Sequence, residues 1–198
     1  AGSSELQVGT RMVHPHQGLT TMPQRSALMD HPAEWLAMLR IVVGLYFVKS
    51  LLTKMTVLLW GGIVPVPAVS ERWLAVMPKI VAKQASDNPL TFYKHFLEGT
   101  VIPHSSVFAQ LTAWGETAAG LGLTLGLLTG LASVVGLVLV VNYGLATQWM
   151  SPGQQGFHLV LFFLMLAFFF ARAGRTWGLD GWLARRKPGS FLTRRPIS

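Results

Sequence analysis

The side chains able to do chemistry in this chain are few, and they sit in apolar surroundings. One carboxylate, Glu116, lies inside the run from Trp114 to Gly130, whose other residues are tryptophan, glycine, alanine, threonine and leucine. A carboxylate in such a setting is costly unless it meets a cation or shares a proton, so it asks for a partner. Three cations, Arg40, Lys49 and Lys54, lie in another apolar run. At about 100° per helical residue, Arg40, Gly44, Phe47, Leu51 and Lys54 share one stripe and Lys49 points away from it. Counting about 1.5 Å per residue inward from the outer ends puts Glu116 and Lys49 at about 15–17 Å and Lys54 at about 9 Å. Depth favours Lys49 as the partner of Glu116, and the shared stripe favours Lys54. Either pairing gives a buried ion pair that holds helices together or a polar pocket for a ligand or proton path. Arg40 lies near the inner end, where it can snorkel.

Histidine and cysteine chemistry is sparse. With no cysteine there is no thiolate ligand, disulfide or persulfide carrier. The six histidines form no ligand set by spacing, and only His158 falls inside an apolar run, so no metal site and no haem is expected. His158 reads as a hydrogen-bonded helix residue near Tyr143, Gln148 and Trp149. Asp30 or His31 reads as a helix cap, with Glu34 as its capping-box partner.

These residues need apolar helices to position them. Half of the 198 residues are hydrophobic and 12% are charged, which indicates an integral membrane protein. Four spans are expected, at about 35–60, 106–128, 131–150 and 154–173, each near the ~20 residues that cross a bilayer. The very short links between the last three force antiparallel neighbours. The fold expected is therefore all-α: a four-helix membrane bundle over 33–184. A polar N-terminal segment (1–32), reading as no signal peptide, precedes it, and a basic tail (185–198) follows. Gly122, Gly126 and Gly130 repeat every fourth residue and read as one close-packing helix face.

The connection 61–105 is expected to carry two short interfacial helices. Ser70 would cap the first, with Trp73, Val76, Met77 and Ile80 on one face and a kink at Pro78. Asn88 would cap the second, with Pro89 at its first helical position and Gly99 ending it. The net charge is +8, and Arg172, Arg175, Arg185, Arg186, Lys187, Arg194 and Arg195 crowd the end of the fourth span. The positive-inside rule then places both termini in the cytoplasm, with the tail on anionic head groups. The charges flank a span and form no aromatic-interleaved patch, so no nucleic-acid partner is expected.

Three segments resemble the DoxX family: Arg40-x-x-x-Gly44-x-x-Phe47 followed by Lys54; Glu116 through Gly120, Leu123, Gly126, Leu127 and Thr129; and Gly174-Arg175-Thr176-Trp177-Gly178-Leu179-Asp180-Gly181-Trp182-Leu183. The last takes the form seen in DoxD-type small subunits of thiosulfate:quinone oxidoreductase. The resemblance implies a four-span bundle in a bacterial or archaeal cytoplasmic membrane. It also implies, for DoxD-type members, a part in passing electrons from thiosulfate to quinone. Two readings follow. In one, the chain is a non-catalytic accessory subunit of a larger respiratory or photosynthetic electron-transfer complex, carries no cofactor of its own, and meets its partners through the N-terminal segment, the outer loop and the fourth span. In the other, it is the DoxD-type membrane subunit itself, with Glu116, Lys54, Lys49, Arg40 and His158 around a quinone or anion site.

Overall fold

The computed structural model describes residues 2, 31–194 and 196–198, and only the backbone of Trp60. The expected N-terminal segment 1–32, with its partner contacts and the Asp30 cap, lies outside the described residues except for residues 2, 31 and 32. Four long helices carry the fold: α1 (Pro32–Lys54), α4 (Ser105–Leu125), α5 (Thr129–Thr147) and α6 (Pro152–Phe170). Between α1 and α4 come a hairpin of β1 (Met55–Trp60) and β2 (Val64–Val69), then α2 (Glu71–Ser86) and α3 (Thr91–Phe96); α7 (Leu179–Arg186) follows α6. Among the described helices, α1, α5 and α6 are long and apolar enough to cross a membrane. At 21 residues α4 has the length, but Gln110, Thr112, Glu116, Thr117 and Thr124 dilute its apolar run.

The sequence puts each boundary where local chemistry allows it. Ser151 accepts a hydrogen bond from Gln154 N at 3.2 Å and Pro152 fills the first turn of α6, where no amide donor is needed. Helix α4 stops at Gly126, whose φ of +62° suits glycine, and Leu127 N closes the end by donating to Gly122 O at 2.9 Å. Neighbouring helices pack in sequence order, α1 on α4, α4 on α5 and α5 on α6, and α1 also meets α6. Val43, Phe47, Leu123, Val140, Met165 and Phe168 form the centre of the core between them.

Several expectations change. The chain is mostly helical but not all-α, because the first span ends at Lys54 and its expected last turn is strand β1. Val57, Leu58 and Leu59 pair in antiparallel register with Pro67, Val66 and Pro65 across a turn that holds Gly61 and Gly62 at positive φ. A two-stranded ribbon has an open edge on each strand, so β2 tolerates two prolines that lack amide donors. Pro78 lies inside an unbroken α2. The buried face of α2 is Met77, Val81 and Ala85, rotated from the expected one, since Val76 and Ile80 are exposed. Asn88 does not cap α3. Its Oδ1 takes Leu90 N at 2.9 Å in a turn, its Nδ2 donates to Leu145 O, and the helical path runs through Gly99 in a π turn to Val101.

Candidate functional site

Lys54, on the last turn of α1, places its Nζ 2.6 Å from Glu116 Oε2 on α4. Tyr143 of α5 donates a short hydrogen bond to the other carboxylate oxygen. Three helices thus meet in one chain of polar side chains, with both acceptor atoms of Glu116 used. The ammonium also lies 4.3 Å from the Trp73 ring centre, a cation–π contact. That ring is fixed by its Nε1 donating to Ala109 O at 3.0 Å, and α2 is tied back by Ser70 N donating to Lys54 O at 2.8 Å. Ser70 caps α2, its Oγ accepting from Trp73 N at 3.3 Å.

Beside this triad lies a cavity of about 320 Å³, lined by Tyr46, Phe47, Lys49, Ser50, Thr53, Lys54, Glu116, Val140, Tyr143, Phe157, His158 and Leu161. Its lining mixes apolar and aromatic side chains (Phe47, Val140, Phe157, Leu161) with hydroxyl, ammonium, imidazole and carboxylate groups, a make-up that suits a small polar ligand. Lys49 is exposed and lines the cavity without reaching Glu116. His158 Nδ1 lies 2.7 Å from Gln154 O. A carbonyl only accepts, so Nδ1 carries the proton and Nε2 is left for the cavity. Ser50 is 4% exposed, and its hydroxyl has no hydrogen-bond partner among the described residues. The hydroxyls of Thr117, Thr124 and Thr129 and Arg40 Nε are likewise buried without a partner among the described residues, but of these atoms only that of Ser50 belongs to a residue lining this cavity.

Arg40 does not belong to this site. It lies fourteen residues before Lys54, about 21 Å along the helix axis. It does not snorkel either, being 0% exposed, with Nη1 donating to Leu123 O at 2.8 Å and Nη2 to Trp177 O at 3.2 Å. A cation on the last carbonyls of α4 suits that end of the helix dipole. Asp180, 1% exposed, completes the arrangement: its two carboxylate oxygens accept from Leu128 N and Thr129 N, each at 2.8 Å, and cap α5. The sequence placed Asp180 in the closing motif 174–183 without assigning it a partner. Its place inside the glycine-rich segment 174–181 was the signal that it is held by backbone.

The glycine ladder is corrected as well. Gly122 faces α5, where a β-carbon would stand 2.7 Å from Ala132 Cβ. Gly126 lies against the Arg40 guanidinium, and Gly130 is already in α5, against Pro196 O. The close helix crossing belongs to Gly44 and Gly120, where added β-carbons would stand 2.5 Å from Thr124 N and 2.6 Å from Val48 N. The C-terminal residues fold back there too. Leu131 N donates to Ile197 O, and Arg172 Nε donates to Ser198 O at 2.8 Å.

A chain with three membrane-length apolar helices and buried charges between them is a membrane protein. The pattern of the DoxD family, described as "TQO small subunit DoxD", matches residues 35–192, and the chain belongs to that family. No curated protein and no solved structure matches it.

Proposed function

We propose that the chain is the membrane subunit of a thiosulfate:quinone oxidoreductase-type assembly, and that the cavity beside Lys54, Glu116 and Tyr143 takes the quinone head group. The family supports the assembly. The observation that carries the cavity assignment is the buried, unpartnered Ser50 hydroxyl on a wall shared with Lys54 and His158. A quinone accepts electrons and protons at two carbonyl oxygens. Here Ser50 and Lys54 donate to a carbonyl oxygen of the quinone, His158 Nε2 accepts from the hydroxyl of the reduced quinol, Glu116 holds a proton position through Tyr143, and Phe47 and Phe157 flank the ring. On this reading α4 is a fourth span, its charge neutralised by Lys54. Both termini then face the basic, cytoplasmic side and the hairpin faces outward.

A non-catalytic accessory subunit is favoured by a different observation: Lys54, Glu116 and Tyr143 already satisfy one another. The uncharged, exposed hairpin, with Val57, Leu58, Leu59 and Ile63 open, would then be a partner surface, together with the N-terminal segment and the Phe163 and Phe170 side of α6. Titrating a short-chain quinone analogue into the chain purified in mild detergent separates the two. Binding that weakens at least tenfold in Ser50→Val and in His158→Ala supports the quinone site. No binding, together with co-purifying subunits lost on hairpin substitution, favours the accessory role.

A further inference from the structure

At the Arg40 end of the molecule a second, wider cavity of about 700 Å³ opens between the end of α4 and the start of α7. Its lining divides by chemistry. Arg175 and Arg185 supply positive charge, Thr124 and Thr176 supply hydroxyls, and Leu125 and Leu179 supply an apolar edge. No acid lines it. Asp180, on α7 beside it, is buried with both oxygens bonded to amides. Large apolar side chains stand exposed at the same end: Trp177, 60% exposed, with Leu179 and Trp182. Arg186 lies 5.3 Å from the Trp182 ring, and Lys187 follows it. In a membrane protein, exposed tryptophan marks the level of the head groups, and arginines there meet phosphate bidentately.

We propose that this cavity is a binding site for the head group of an anionic phospholipid. Arg175 and Arg185 hold the phosphate, while Trp177 and Leu179 enter the bilayer beside its acyl chains. The two arginines come from different elements, the short turn Ala173–Arg175 and helix α7, so a bound lipid joins them across the end of α4. Both arginines are exposed; Arg175 is positioned by its Nη2 donating to Thr193 O at 3.3 Å, and Arg185 stands on α7. Charge complementarity selects the ligand: a zwitterionic head group adds its own cation to a site that already carries two.

Native mass spectrometry of the full chain in mild detergent tests this. Phosphatidylglycerol and phosphatidylcholine with matched acyl chains are offered together, with inorganic phosphate in a separate arm. The expected result is retention of the anionic lipid several-fold over the zwitterionic one, falling toward equality in Arg175→Gln/Arg185→Gln. It should be unchanged in Arg72→Gln/Lys83→Gln, which removes as much charge from α2. Arg185→Gln alone, on an exposed helix position, should show a clear partial loss even if the double variant folds poorly. Equal retention of both lipids by the native chain would overturn the proposal, as would a preference that survives both Arg185 variants. Displacement of the lipid by millimolar inorganic phosphate would also sink it, showing a free-anion site. Saturation of the site by a co-purifying acidic subunit would show a protein interface instead.

Discussion

Two of the cations on helix α1, Arg40 fully buried and Lys54 half-buried in its last turn, are held in opposite ways. At the Arg40 end every strong contact terminates on backbone: the guanidinium on the Leu123 and Trp177 carbonyls, and Asp180 on the Leu128 and Thr129 amides. Glycines make this possible, because β-carbons at Gly126, Gly174 and Gly178 would stand within 2.6 Å of other atoms. At the Lys54 end the partners are side chains, Glu116, Tyr143 and Trp73, and a cavity adjoins them. Backbone partners cannot rotate away, whereas side chains can exchange one another for a ligand. Buried charge by itself therefore does not mark a functional site; what it is bonded to does. The Arg40 end clamps the fold and the Lys54 end is free to do chemistry.

The largest effect that follows is on stability at the clamped end. Asp180→Ala leaves two amides at the start of α5 unpaired and takes the counter-charge from Arg40, a cost of about 3–5 kcal/mol. Thermal unfolding in detergent should show it as the most destabilised of the charge-removing variants. Gly126→Ala should be of similar severity, since its β-carbon would stand 2.1 Å from Arg40 Nη1 at a φ that alanine resists. If Asp180→Ala melts with the native chain, the clamp reading is wrong.

The next effect is split between stability and binding. Glu116→Gln strands the Lys54 ammonium, but the Trp73 ring and the cavity remain to solvate it. The cost should be about 1–3 kcal/mol, below that of Asp180→Ala. Replacing both partners, Lys54→Met with Glu116→Gln, should restore much of that stability, because a buried pair can give way to apolar contact without a stranded charge. Quinone-analogue binding should not return in the double variant. Stability and binding recovering together would mean that the Lys54 end, too, is only structural.

Much of this contrast was legible in the sequence, and the reasons for the rest are physical. The helices that carry the site showed as long apolar runs, because an apolar run needs no knowledge of its neighbours. Glu116 stood out for the same reason. The choice between Lys49 and Lys54 did not, since depth assumed a straight helix to residue 60. The helix in fact ends at Lys54, where β-branched residues and two prolines form a ribbon. Arg40 was read as snorkelling because its acceptors are carbonyls 83 and 137 residues away, which no local pattern reveals. Asp180 stood in the closing motif with no partner named, because the amides it caps lie 52 and 51 residues away. The glycines were read as one ladder because their spacing is regular, yet a left-handed turn at Gly126 separates the last from the first.

The smallest expected effect tests whether the helices beyond the hairpin belong to either end or stand apart. Tyr93 of α3 is buried in a second core with Met77, Val81 and Leu97, and its hydroxyl donates to Asn142 O at 3.0 Å. Burial pushes its phenol up to about 12 from an ordinary value near 10. The folded state therefore holds this proton more tightly than the unfolded chain does. The associated stability is complete below about pH 10 and is lost as the pH rises toward 12. Tyr93→Phe removes one hydrogen bond, worth about 1 kcal/mol at neutral pH, and should shallow the fall in melting temperature across that alkaline window. It should leave quinone-analogue binding unchanged, because Tyr93 does not line the cavity beside Lys54. A loss of binding in Tyr93→Phe would instead tie the second core to the site through Asn142 and its neighbour Tyr143, and the division of the molecule into a clamped end and a reactive end would have to include α3.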